Sequence, residues 1–332
     1  MKASPAPLRV AVVGAGRMGQ NHLRVYDLQK SVTIAGVVDI DAGRARTAAE
    51  RYGCAAFNSP AELIGKVDVA SVCVPSVLHR DVGCLLLDNG IHCLIEKPLA
   101  TSEGDCQALI EAAARSSATL MVGHVERFNP AVQQLVRLLD GNHQVHAIDA
   151  RRLSWTSARI TDVDVVLDLM VHDLDIVLSL VSEPVIAVAG SGVRTSARHG
   201  EDYVTALLSF SGGITASLTA SRITQTKVRE LSLTTDIGYI TVNYINQEIL
   251  VVRRPETDRD PSYWFGNGDT ILDSVVERVL VRNAEPLMLE LQHFVDSVRH
   301  GTKPLVTGEH ALKTLRIAHQ IQDGIARLNK HG

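Results

Sequence analysis

Over the first third of the chain, short apolar runs alternate with amphipathic stretches. Leu8–Val13, Thr33–Asp39, Val67–Val74, His92–Ile95 and Thr119–Val122 read as β-strands, most of them apolar throughout as in strands buried on both faces. Between them, Met18–Gln29, Ala42–Arg51, His79–Asn89 and Ser102–Ser116 carry helical composition, several with Gly, Ser, Asp or Thr at their ends. Strand-helix alternation predicts a parallel, doubly wound α/β sheet, here over residues 1–125. After Asn129-Pro130 strands follow one another with turns between them: His143–Leu153, Pro184–Val193, Asp202–Ser209, Gly213–Ser221, Arg229–Thr234, Gly238–Asn243 and Glu248–Arg253. This predicts an α+β domain over 126–332 with a large, mostly antiparallel sheet. It holds one helix at Val165–Leu180 and two closing helices, Leu287–His300 and Glu309–Leu328, the last of which is free to pack back on the first domain. Residues 254–273, rich in Asp, Pro, Arg and Gly, read as a loop or a flap over the substrate.

Composition narrows the function classes. The chain has 332 residues, enough for two cores, and its 33 basic against 37 acidic residues leave a net charge of -4 without a basic stripe. Nucleic acid is therefore not an expected partner. The charged positions Asp164, Asp168, His172, Asp173 and Asp175 interrupt the longest apolar stretch, so no membrane span is expected, and Leu8–Val13 is too short for a signal sequence. Five cysteines without a CxxC pair point to a reducing cytoplasm.

Gly14-Ala15-Gly16-Arg17-Met18-Gly19 is a GxGxxG turn placed after a strand and before a helix. Gly14 permits the tight turn, Gly16 lets backbone approach a pyrophosphate, and Gly19 lets the helix pack on the strand, while the first N–H groups, with Arg17 and Met18 at the helix start, face the phosphates. Asp39 follows twenty residues after Gly19, where a carboxylate accepts from the ribose hydroxyls and repels a 2′-phosphate, favouring NAD over NADP. Its alternative role is a helix cap, which Asp41 can also fill.

Glu96-Lys97-Pro98 leaves a strand at the carboxyl edge of the sheet, where open α/β sheets bind ligands. Pro98 holds Lys97 out of the helical region and permits a cis bond, aiming the ammonium into the crevice; the alternative is a surface Lys-Glu pair. Asp168 and His172 stand four apart on one helical face. That places a titratable imidazole in an apolar helix, either as a general base or as a core histidine satisfied by Asp168. One His with flanking Asp residues is a weak basis for a metal, and none is expected there.

GAGRMG at 14–19, Asp39, EKP at 96–98 and LDLMVHDLD at 167–175 together resemble the glucose-fructose oxidoreductase/inositol dehydrogenase/MocA family over nearly the whole chain. The resemblance implies NAD-dependent oxidation of a sugar alcohol, with His172 as general acid/base, Lys97 polarising the hydroxyl, and Asp168 orienting substrate or histidine. It also implies cofactor contacts from Pro75, Ser76, His79, Glu96 and Lys97. Val122–Pro130, the LMVHDLD helix and Asn243–Gln247 resemble the branch of the family that oxidises the 3-hydroxyl of UDP-N-acetylglucosamine for lipid A synthesis, with an aminotransferase acting on the keto product. Arg127 and Asn129 are then either substrate contacts or a boundary cap and turn. Alternative readings are a polyol or UDP-sugar-acid dehydrogenase and an inactive NAD-sensing regulator. The antiparallel sheet must bury its free face, so a homodimer or homotetramer is expected.

Overall fold

The computed structural model describes residues 6–140, 143–155, 164–195, 200–253 and 274–329; the expected flap at 254–273 lies outside them. By internal packing the chain divides into two compact units, Met1–Phe128 with Ala284–Arg316, and Asn129–Asn283 with Ile317–Gly332.

In the first unit β1 (Leu8–Val13), β2 (Val32–Val38), β3 (Ala55–Phe57), β4 (Val69–Val72), β5 (His92–Glu96) and β6 (Leu120–Gly123) form a parallel sheet in the order β3-β2-β1-β4-β5-β6. Val10, Val12, Val69, Val72, Leu94 and Ile95 are completely buried, as strands covered on both faces require. The connecting helices are α1 (Arg17–Asp27), α2 (Ala42–Tyr52), α3 (His79–Asp88) and α4 (Glu103–Ser116). The strand order reverses between β1 and β4, which is the switch point where such sheets open a crevice at their carboxyl edge. For residues 6–128 the sequence reading is correct in kind and misses β3.

The second unit opens with α5 (Pro130–Leu139), a helix where turns and strands are expected from the sequence. Asn129 accepts from Ala131 N and Pro130 occupies the first helical position, a standard helix start. Then come β7 (Val145–Trp155), a wide helical turn at Val166–Met170, α6 (Val171–Leu180), and β8 (Val185–Val193), β9 (Tyr203–Phe210), β10 (Thr215–Ser221), β11 (Ile223–Thr235), β12 (Gly238–Asn243), β13 (Glu248–Arg253) and β14 (Val275–Val279). The eight strands pair in the order β14-β13-β12-β11-β7-β10-β9-β8, antiparallel except for β7 with β10. One face buries Ile148, Ala150, Leu218, Leu231, Leu233 and Val242, and α5 and α6 pack against strands of this sheet. Along β9 and β10 the positions alternating with the core are only partly covered or open: Thr205, Leu207, Ser209, Thr215, Ser217 and Thr219.

The chain closes with α7 (Pro286–His300) and α8 (Gly308–Leu328). No helix among the described residues is long and apolar enough to cross a membrane.

Candidate active site

The glycine turn is shaped by close contacts on one side and open space on the other. Gly14 has φ +95°, and a Cβ on it would meet the Cys73 carbonyl oxygen at 2.6 Å. A Cβ on Gly19 would sit 1.8 Å from the Gly14 oxygen, so only glycine lets α1 start this close to β1. At Gly16 nothing lies within 4 Å, leaving room for a ligand against the backbone. Gly16 is also the N-cap of α1, offers no side-chain cap, and the first turn carries no acidic residue. The orphan N–H groups and the positive end of the helix are thus available to an anion.

A cavity of about 630 Å³ opens there, lined among others by Gly14, Gly16, Met18, Asp39, Arg44 and Pro75. Asp39, 7% exposed, is placed by the backbone: Oδ2 accepts from Ala15 N at 2.8 Å and Oδ1 from Asp41 N at 2.8 Å. Oδ2 keeps a lone pair for a ribose hydroxyl. Asp41, not Asp39, caps α2, accepting from Gly43 N and Arg44 N. Arg44 was not anticipated from sequence; its guanidinium lies 3.2 Å from Asp39 and 3.4 Å from Asp41, which neutralise it. A phosphate-binding turn, a ribose-binding carboxylate and an adjoining cavity fit a dinucleotide.

Arg17, at the start of α1, is exposed and lies outside the cavity lining; Gly19 packs beneath Gly14. Pro75 leads into a short turn at Ser76–Leu78, with Ser76 half-buried. His79 is 1% exposed, and its two ring nitrogens lie 2.9 Å from Pro98 O and 3.0 Å from Val74 O. Burial holds this imidazole below its ordinary pKa despite those carbonyls. Its geometry is that of a tie between the turn after β4 and the turn after β5, rather than of a ring open to ligand.

Glu96 ends β5 at 9% exposure and pairs with His22 of α1, Nε2 to Oε1 at 3.0 Å. Burial pushes the Glu96 carboxyl up, but the hydrogen bond and charge of His22, with Lys97 beside it, outweigh this and hold it below the usual range. Lys97 follows, half-buried, and the Lys97–Pro98 peptide is cis. Arg127 lies half-buried in the turn Val125–Phe128 after β6.

In the second unit the expected single helix at Val165–Leu180 is two segments. Val171 N–H donates to Val166 O, five residues back, so the stretch carrying Asp168 is a wide π-type turn, and α6 begins at Val171. Such turns are concentrated at functional sites. Asp164 caps it, Oδ1 accepting from Val166 N and Leu167 N, while Gln322 of α8 donates to Oδ2 at 2.8 Å. Gly200 leaves room for this carboxylate's own Cβ, which a Cβ there would meet at 2.2 Å. Asp168 and His172 are both half-buried.

The residue that follows His172 is anchored in the core. Asp173 accepts two bonds from Arg152 of β7, at 2.6 and 2.8 Å, with both side chains under 5% exposed. Arg152 in turn stacks over the Tyr244 ring at 5.5 Å, and the Tyr244 carbonyl accepts from Asn129 Nδ2 at 3.1 Å. Asn129 is 2% exposed, and its side chain makes this bond and the helix cap.

The residues 8–124 match the GFO/IDH/MocA family's "Oxidoreductase family, NAD-binding Rossmann fold", and 136–241 match the same family's C-terminal domain. The chain is 32% identical over 247 residues to UDP-N-acetylglucosamine 3-dehydrogenase of Acidithiobacillus ferrooxidans, an alignment covering 74% of this chain and 77% of that one. The solved structure of an A. ferrooxidans UDP-N-acetylglucosamine 3-dehydrogenase superposes with a TM-score of 0.86 at 28% identity, covering 97% and 98% of the two chains. An inositol 2-dehydrogenase of Saccharopolyspora erythraea is 28% identical over 311 residues, 89% of this chain and 86% of its own. On these matches and on the site's construction, the chain belongs to the GFO/IDH/MocA oxidoreductase family and is an NAD-dependent dehydrogenase.

Proposed function

We propose that this enzyme oxidises the 3-hydroxyl of UDP-N-acetylglucosamine to a 3-keto sugar. The observation that carries the reading is the similarity to UDP-N-acetylglucosamine 3-dehydrogenase, at 32% identity in sequence and a TM-score of 0.86 in structure. When bound, the nicotinamide supplies the hydride acceptor. The protein's share is to hold the dinucleotide by Gly14, Gly16, the start of α1 and Asp39, and to manage the alcohol proton. His172 takes that proton as general base, Lys97 hydrogen-bonds the reacting oxygen, and Asp168 orients imidazole or sugar. The half-buried Arg127 is a candidate for the sugar diphosphate.

The test is NADH formation from a panel of UDP-N-acetylglucosamine, its uronic acid, myo-inositol and glucose, with a carbonyl trap or an aminotransferase to remove product. Turnover of the first substrate alone is expected. Turnover of myo-inositol instead would favour the polyol reading, which the similarity to inositol 2-dehydrogenase supports.

The Asp39→Ala enzyme is expected to tolerate NADP better, measured as the ratio of the two dissociation constants. The change removes the carboxylate that repels a 2′-phosphate and frees Arg44 from one of its two carboxylate partners. An unchanged ratio would assign ribose reading to another residue.

The reading includes a reducing, cytoplasmic setting, supported by five cysteines that are all free thiols. It also includes a homodimer or homotetramer formed over the open face of the second sheet, where Thr205, Leu207, Thr215 and Thr219 are at least partly uncovered. Light scattering is expected to give at least twice the 35.9 kDa chain mass; a monomer would end this part of the reading.

A further inference from the structure

Beside Lys97 in the sequence, three elements of the first unit bring together a mixed group of donors. His22 comes from α1, Cys73 from just past the end of β4 and Glu96 from β5. One ligand atom each from His22, Cys73 and Glu96 all lie within 4.8 Å of one another, with His22 Nε2 and Glu96 Oε1 already 3.0 Å apart. Nitrogen, thiol sulfur and carboxylate oxygen form a mixed donor set that suits zinc, a borderline-soft ion that accepts all three. Ligands on a tetrahedral zinc bind at about 2.0–2.3 Å, so closing the triad asks for side-chain shifts of well under an ångström or so each.

Glu290 of α7, outside this group, is 0% exposed, and neither carboxylate oxygen has a hydrogen-bond partner among the described residues, a costly form of burial. Access exists as well: Cys73 lines the cavity that holds the glycine turn.

We propose that His22, Cys73 and Glu96 form a binding site for a thiophilic divalent cation of the zinc type, which on binding interferes with the dinucleotide. Binding replaces the Cys73 S–H bond by a sulfur-metal bond and releases that proton to solvent. The ion then ties Cys73, in the cavity wall, to Glu96, the residue before Lys97.

The test uses the full chain stripped of metal and titrated with Co²⁺. A thiolate-to-cobalt charge-transfer band with one-to-one stoichiometry is expected, bleached by Zn²⁺, which also releases protons into weak buffer. Cys73→Ser is expected to abolish the band. Saturating Zn²⁺ is expected to weaken NADH binding to the unsubstituted protein. Absence of the band at stoichiometric excess of cobalt, or its persistence in Cys73→Ser, would overturn the site. NADH binding indifferent to zinc would overturn the interference. None of these readings depends on which sugar is oxidised, so the metal site and the substrate assignment can fail separately.

Discussion

Replacing His172 by alanine is expected to lower turnover at least about a hundredfold while leaving NAD affinity nearly unchanged. A positioned general base contributes roughly 10²–10⁴ to the rate. His172 stands at the second position of α6, directly after the wide turn that carries Asp168, and its neighbour Asp173 is locked to β7 by Arg152. The dinucleotide cavity, by contrast, is lined wholly by residues of the first unit. Steady-state kinetics and NADH titration separate the two effects. A near-normal rate would remove His172 from the chemistry and return it to the role of a satisfied core histidine.

The second large effect is one of stability. Arg152→Ala is expected to destabilise the fold by about 3–5 kcal/mol, because it leaves the Asp173 carboxylate buried and uncompensated. Both partners are nearly inaccessible, at 4% and 3%, so solvent cannot take the place of the lost guanidinium. The double change Arg152→Met with Asp173→Leu is expected to recover much of this loss, since a buried ion pair often exchanges for apolar packing at little cost. Denaturant unfolding of the three proteins checks both statements. If the single change costs under about 1 kcal/mol, the pair is weaker than its geometry indicates. The double variant also isolates function, for a stable protein with reduced kcat would show that the pair matters by aiming His172.

What was legible in the sequence follows from how local the determining forces are. The parallel strands announce themselves because Leu8–Val13 or His92–Ile95 are buried on both faces and admit no polar residue at most positions. The three-residue β3 has two exposed positions and no such pressure, so it leaves no trace. At α5 the signal is local: Asn129-Pro130 is a cap followed by a first-turn proline, which as a boundary cap and turn does not by itself announce a helix. β11 begins at Ile223, earlier than its apolar core, because Gln225, Thr226 and Lys227 are exposed and carry no alternation. The glycine turn, Asp39 and the Glu96-Lys97-Pro98 edge were readable as motifs since each needs fixed residue types at fixed spacing. Their supports were not. His22 meets Glu96 across 74 positions of sequence, Arg152 meets Asp173 across 21, and Gln322 meets Asp164 across 158, and nothing local marks either end of such a pair. The wide turn at Val166–Met170 is equally silent, because its apolar pattern serves an α-helix as well.

The first unit takes its final segment from the far end of the chain. Residues 284–316 bring α7 against α1, where Arg24 pairs with Glu285 and Arg299 reaches the Ser31 carbonyl, and they place Val306 O to accept from Val122 N at the sheet's outer strand. A ribosome that has released the first 128 residues has therefore delivered a nucleotide-binding half still lacking one of its walls. That half stays incomplete through the synthesis of the entire second sheet, and an N-terminal fragment cut at this point exposes the face of α1 that α7 covers. Gene fragments designed to express the dinucleotide-binding part alone should carry 284–316 grafted by a linker; without it, aggregation rather than a smaller soluble protein is the outcome to plan for.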